Sequence, residues 1–231
     1  MGIIVAIDGP AGAGKSSVAK AVARQTGMTF VDTGAIYRAL AFSARQNDVD
    51  FDDEKGLAQL TENLPIRFQN TENEQKLFLG DDEVTHAIRA PEVSEWASKV
   101  SQYPLVRAGL LNLQRRLGEG PDGAVAEGRD IGTVVFPHAE VKIFLTADPQ
   151  ARAKRRVAQL AEKGIQITVE EILNEMKVRD ERDSQRATAP LVKADDAVEI
   201  DSTQVTMDQV ISQIIQLVHN CKNASVEAVH G

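Results

Sequence analysis

Gly9-Pro10-Ala11-Gly12-Ala13-Gly14-Lys15-Ser16 directly follows the apolar run 3–7 and a single acid, Asp8. The octet fits G-x-x-x-x-G-K-[ST], the pattern of a phosphate-binding loop. Each position has a physical reason. Glycines let the backbone turn tightly and aim its N–H groups at a phosphate chain, and a helix starting near Lys15 adds the positive end of its dipole. Lys15 is placed to bridge β- and γ-phosphates, Ser16 to ligate Mg²⁺ through its hydroxyl, and Ser17 to offer a further donor. The motif lies between a strand and a helix, where the mechanism needs it. A nucleotide site is implied; a kinase is not yet.

Outward from the loop, residues 3–7 read as a buried parallel strand and residues 16–25 as a helix closed by Gly27. Residues 29–31 form a second strand, and Asp32-Thr33-Gly34 turns into a helix over 35–45. This alternation predicts an α/β fold with a parallel sheet. The pattern then changes. Short strand-like runs at 66–68 and 77–79, split by the polar stretch 69–75, predict a small antiparallel insert over about 64–84. Helices are predicted over 91–100 and 106–117, strands over 124–126 and 141–145, and charged helices over 149–163 and 168–186. A last strand at 197–200 and an amphipathic helix at 206–218 complete a domain over 1–220, leaving 221–231 as an expected flexible tail.

With 231 residues, 42% hydrophobic and 26% charged, the chain suits one globular domain with room for a small insert. A net charge of −8 argues against nucleic acid and anionic membranes as partners. The single cysteine, Cys221, allows no internal disulfide, which suits a reducing, cytoplasmic compartment. The run 3–7 is too short and lacks the basic flank of a signal peptide, and no stretch has the length to span a bilayer.

Other phosphate-loop proteins fit less well. No lysine follows an asparagine, so the N-K-x-D element of guanine-reading GTPases is missing, and the chain is short for an ATPase motor. A small kinase must hold a second anion, which calls for arginines whose planar fork grips phosphate. Candidates are Arg38, Arg107, Arg129, the helical set Arg179, Asp183 and Arg186, and the cluster Arg152, Arg155 and Arg156. Each has a plainer alternative. Thr33 could cap a helix, Arg179 and Asp183 could be an exposed ion pair, and Arg152–Arg156 a solvated face.

Three segments carry a resemblance. Asp32-Thr33-Gly34-Ala35-Ile36-Tyr37-Arg38, Glu127-Gly128-Arg129-Asp130-Ile131-Gly132-Thr133-Val134-Val135-Phe136-Pro137, and Arg179-Asp180-Glu181-Arg182-Asp183 through Ala189-Pro190-Leu191 resemble bacterial-type cytidylate kinases, from the first strand through the last helix. The resemblance implies a P-loop nucleoside monophosphate kinase fold: a parallel sheet core, an acceptor-nucleotide part with the β insert, and a short lid over about 149–163. It implies transfer of the ATP γ-phosphoryl group to CMP or dCMP with Mg²⁺, by a cytoplasmic monomer. Gly9 through Ser17 would bind ATP, and Lys15, Arg129, Arg152 and Arg156 would act in transfer. Arg38 and Arg129 would hold the CMP phosphate, Thr33, Arg179 and Asp183 its sugar side, and Ser98, Arg107, Asp130 and Arg186 its base.

Chemistry bears on the base separately. Cytosine offers an N4 amino donor that a carboxylate accepts, whereas uracil offers an oxygen there. Two roles for Asp130 are open: base reader, or orientation of Mg²⁺ or Arg129. Two other functions are also open, a kinase for UMP or a non-nucleotide alcohol and a nucleotide-sensing regulator without transfer.

Overall fold

The computed structural model describes residues 2–71, 75–162 and 164–230, without the side chains of Asn70 and residues 225–230. In chain order the elements are β1 (Ile4–Asp8), α1 (Lys15–Thr26), β2 (Thr29–Asp32), α2 (Thr33–Gln46), α3 (Glu54–Glu62), β3 (Ile66–Asn70), β4 (Gln75–Leu79), β5 (Asp82–Glu83), α4 (Pro91–Val100), α5 (Pro104–Gly118), β6 (Ala124–Gly128), β7 (Val141–Thr146), α6 (Pro149–Ala161), α7 (Val169–Gln185), β8 (Val198–Asp201) and α8 (Met207–His230). They divide into two compact units, one of Met1–Val31 with Arg115–Gly231 and one of Asp32–Gln114.

The first unit is built on the five-stranded sheet, in the order β2-β6-β1-β7-β8. β1 runs parallel to both neighbours, pairing Ile7 with Glu127 and Asp8 with Gly128 on one side, and Asp8 with Phe144 on the other. Valines and isoleucines of β1 face protein on both sides of the sheet, which is why the strand reads as apolar up to Asp8. One face is covered by α1 and α8, which bury Val18, Val22, Ile211, Ile214 and Val218 against Val5, Ile143, Leu145 and Ile200. α6 and α7 close on their own cluster of Ala153, Leu160, Ile172 and Met176. Thr168 starts α7 with a capping box, its hydroxyl accepting from the Glu171 N–H while the Glu171 carboxylate accepts from the Thr168 N–H.

The second unit carries α2 through α4, most of α5, and the antiparallel sheet β3-β4-β5. The pairing Ile66 with Leu79 and Phe68 with Leu77 is the expected insert; residues 72–74 of the polar stretch lie outside the described residues. Leu77, Val84, Ile88 and Val93 pack there with Ala35 and Ala39 of α2.

Several local readings change. α3 has no counterpart in the sequence reading, because Gly56 interrupts it and only Leu57 and Thr61 are buried. The cap of α2 is Asp32, whose Oδ1 accepts the Ala35 N–H at 2.8 Å, so Thr33 is the first helical residue and not the cap. α7 ends at Gln185, which leaves Arg186 in extended backbone instead of one turn further along the helical face. A π-helical turn over Ile131–Val135 follows β6, with Arg115 donating to its carbonyls at Val134 and Val135. α6 stops at Ala161, Lys163 lies outside the described residues, and α8 continues beyond 218 to His230.

Ile214 is fully buried between α8 and the sheet. Ile214→Ala is expected to cost about 2–5 kcal/mol, read as a lower urea midpoint at unchanged slope. A loss below about 0.5 kcal/mol would show that α8 contributes little to this core.

Candidate functional site

The phosphate loop leaves the carboxyl end of β1, where open α/β sheets bind ligands. Its shape depends on glycine. At Gly9, with φ of 148°, a Cβ would lie 2.0 Å from the Leu145 carbonyl oxygen on β7, so backbone passes backbone with no room for a side chain. Gly14 takes the left-handed region at the start of α1, and no side chain caps that helix. Its first N–H groups therefore remain available to an anion.

Lys15 turns back over the loop, and its Nζ donates to the Pro10 carbonyl at 2.8 Å. Burial, and after it the Arg129 and Arg179 guanidiniums, push its ammonium down to about 7, while Glu127 and Asp8 pull the other way. Burial is the larger cause and the two guanidiniums add to it, so Lys15 sits in a dry, cation-rich setting of the kind found at functional sites.

Three carboxylates stand nearby. Ser16 Oγ donates to Glu127 Oε1 at 2.5 Å, which joins the loop hydroxyl to the end of β6. Asp8 accepts the N–H groups of Ile131 at 2.8 Å and Gly132 at 2.7 Å and so fixes the π turn. Burial nevertheless wins over those two bonds and raises Asp8 to about 6. Asp130, also buried, accepts from Arg186 Nη2 at 3.4 Å.

The basic residues are gathered by Asp183. Arg129 Nε donates to its Oδ2 at 2.8 Å, and Arg186 approaches its other oxygen at 4.0 Å. Burial would raise Asp183, but Arg129, Arg179 and Arg186 outweigh it and hold the carboxylate below its usual range. An exposed helical ion pair is thereby excluded for Arg179 and Asp183, since Asp183 is 5% exposed and bonds a residue of another element. The α6 arginines are not a solvated face either. Arg152 is buried and donates to the carbonyls of Ala147 and Ala11 and to Asp180, while Arg155 donates to Ser202. Arg156 follows it on α6 and is half-buried.

The remaining expected residues belong to the second unit. Thr33 and Ser98 are buried on α2 and α4. Arg38 Nη2 donates to Asp32 Oδ2 at 2.9 Å. Arg107 is buried on α5, with Nη1 donating to the Ser101 carbonyl at 3.1 Å and its guanidinium 5.4 Å from the Tyr37 ring centroid.

Sequence reading gave no role to Asp8, Glu127 or Asp180. A signal existed for the first two, as each is an acid at the carboxyl end of an apolar strand. Asp180 sits in a run of alternating charges that singles out no member. Among the described residues no cluster of three or more His, Cys, Asp or Glu could hold a metal, and no helix is long and apolar enough to cross a membrane.

The cytidylate kinase family model matches residues 5–220. A cytidylate kinase of Pseudomonas savastanoi pv. phaseolicola is 47% identical over 214 residues, covering 92% of this chain and 93% of that protein. One from Lactobacillus johnsonii is 45% identical over 214 residues, with 93% of each covered. The solved structure of an uncharacterized protein from Eubacterium ventriosum aligns with a TM-score of 0.50 at 16% identity, covering 94% of this chain and 98% of that one, a likeness of fold alone. A glycine loop under Lys15, arginines gathered by one buried acid, and a match from the first strand into the last helix lead to one assignment: this chain belongs to the cytidylate kinase family, as a nucleoside monophosphate kinase and hence a phosphotransferase.

Proposed function

We propose that this chain transfers the γ-phosphoryl group of ATP to CMP or dCMP, giving ADP and CDP or dCDP. The observation that carries the reading is the cationic set of Lys15, Arg129 and Arg179 beside the phosphate loop, where burial first and the two guanidiniums after it push Lys15 down to about 7. Such a set suits two phosphate-bearing ligands better than one.

The acceptor phosphate has a second pKa of about 6, so it is already ionised at neutral pH and needs no catalytic base. The protein's work is alignment of two anions that repel each other and neutralisation of their charge. Gly9 through Ser17 would cradle the ATP phosphates, with Lys15 on the β- and γ-groups. Mg²⁺ fits the site, because the Ser16 hydroxyl and the Glu127 carboxylate, 2.5 Å apart, are hard oxygen donors suited to an ion completed by phosphates and water. When bound, it would supply further charge neutralisation. Arg129, Arg152 and Arg156 would act on the phosphoryl group in flight.

Arg38 and Arg129 would hold the CMP phosphate, and Thr33, Arg179 and Asp183 its sugar side. Ser98, Arg107, Asp130 and Arg186 would read the base. The contact of Asp130 with Arg186 favours base reading over a metal role, since a carboxylate and a guanidinium together match the cytosine N4 donor and its N3 and O2 acceptors. In this reading Asp32–Gln114 is the acceptor-nucleotide part, residues 149–163 are the lid, and the kinase domain runs over 1–220. One chain supplies every group named, as a monomer acting on small molecules in the cytoplasm.

Coupled measurement of ADP release against a panel of monophosphates tests the function. CMP and dCMP should support turnover, UMP less, and Lys15→Ala should lower kcat by about 100- to 1,000-fold. ADP release indifferent to the acceptor, or a near-normal Lys15→Ala enzyme, would remove the reading. Asp130→Asn should narrow the preference for CMP over UMP by about tenfold, as a lost polar base contact does; an unchanged ratio moves Asp130 to another role.

Lys15 also sets a pH dependence. Its free-state value of about 7 should rise once phosphates surround it, so ATP binding takes up a proton above pH 7. Affinity should hold below pH 7 and weaken above it, by up to about tenfold per unit. Calorimetry at pH 8 in buffers of different ionisation heat should show uptake near one proton, and no uptake would contradict this account of Lys15.

A further inference from the structure

Asp180 lies on α7 between Arg179 and Asp183, yet its carboxylate serves the phosphate loop. Its Oδ1 accepts the Ala11 N–H at 3.2 Å, and its Oδ2 accepts Arg152 Nη1 at 2.7 Å. The same Nη1 donates to the Ala11 carbonyl at 2.8 Å, and Arg152 Nε donates to the Ala147 carbonyl at 3.1 Å. Ala11 is therefore gripped at both polar ends, by a carboxylate on its N–H and a guanidinium on its C=O. Those two groups are held in turn by their own ion pair. Arg152 Nη2 has no partner among the described residues.

The loop needs such a grip. A run of small residues has few side chains to hold it, and its three glycines have much conformational freedom to lose. It must nevertheless present its amides to the phosphates in one arrangement. Next to the gripped residue, Gly12 packs so closely on α6 and α7 that a Cβ would lie 2.6 Å from Met176 Cε and 3.2 Å from Arg152 Cβ.

We propose that Asp180 is a positioning residue for phosphoryl transfer. Directly and through Arg152 it presets Ala11 and the phosphate loop, and it keeps Nη2 of Arg152 available for the ATP phosphates. It also shares one helical turn with Arg179 and Asp183. On the reading that those two contact the acceptor, Asp180 links donor occupancy to acceptor occupancy, and each ligand tightens the other by the same factor.

Asp180→Asn keeps an acceptor for the Ala11 N–H and removes the charge facing Arg152. Asp180→Ala removes both. Binding of a non-hydrolysable ATP analogue, measured without acceptor, should weaken about tenfold in the Asn variant, and CMP should no longer tighten it. The double variant Asp180→Asn/Arg152→Met should bind the analogue no worse than Arg152→Met alone, because both disable one clasp. Should Asp180→Ala fail to fold, the Asn and Met variants still decide the matter.

A lower melting temperature with unchanged analogue affinity would reduce Asp180 to a structural role and overturn the proposal. So would additive losses in the double variant. An unchanged tightening by CMP would remove the link between the two sites. The analogue measurement does not depend on the acceptor. A wild-type protein that binds the analogue but ignores CMP would therefore remove the acceptor reading, and with it the link, while the affinity arm still judges the clasp.

Discussion

Four cations, Lys15, Arg129, Arg179 and Arg186, are gathered close to one another, and Asp183 makes that possible. Like charges in a poorly hydrated site repel strongly, and guanidiniums cannot escape by losing a proton. Asp183 relieves three of them at once, and they in turn hold its carboxylate below its usual range against the opposing effect of burial. Lys15 is the one member able to yield, and its ammonium is depressed to about 7. The resting site is thus electrostatically unfinished. Negative ligands complete it, and part of their binding energy comes from ending a repulsion already present.

The α6 arginines show how helical spacing and tertiary partners differ in what they decide. Arg152, Arg155 and Arg156 stand at spacings that put them on neighbouring faces, and sequence alone offers one cluster. In the structure Arg152 is drawn inward by carbonyls and Asp180, whereas Arg155 is committed to Ser202 of the turn after β8. Identical side chains three residues apart on one helix therefore meet different surroundings, and it is Arg152 that grips the phosphate loop.

Much of this was legible beforehand because it is locally encoded. The apolar run ahead of Asp8, the glycine-rich octet and the charged helical stretch over 168–186 each carry their own period or punctuation, and the corresponding elements appear close to where they were expected. α3 was not legible, since Gly56 and a single buried leucine give no apolar stripe. Neither was the π turn, whose N–H groups are taken by Asp8 more than a hundred residues earlier in the chain. The same reason hid the partner of Glu127, although that acid's place at a strand end was visible, and it hid Asp180. Their meaning lies in partners 111 and 169 residues away, and one sequence does not record which distant residues meet. Thr33 failed as a cap for a smaller reason, that the acid just before it reaches the same amide.

The strand order has a consequence during synthesis. β1 emerges first but pairs only with β6 and β7, whose residues lie at 124–128 and 141–146. At about 5–20 residues per second, a ribosome needs on the order of ten seconds to deliver those partners. Throughout that interval the nascent apolar strand has no neighbour in its own sheet, and the nucleotide cradle cannot take shape. Such non-local closure makes for slow acquisition of the native state and a window in which the emerging chain is exposed to wrong pairings.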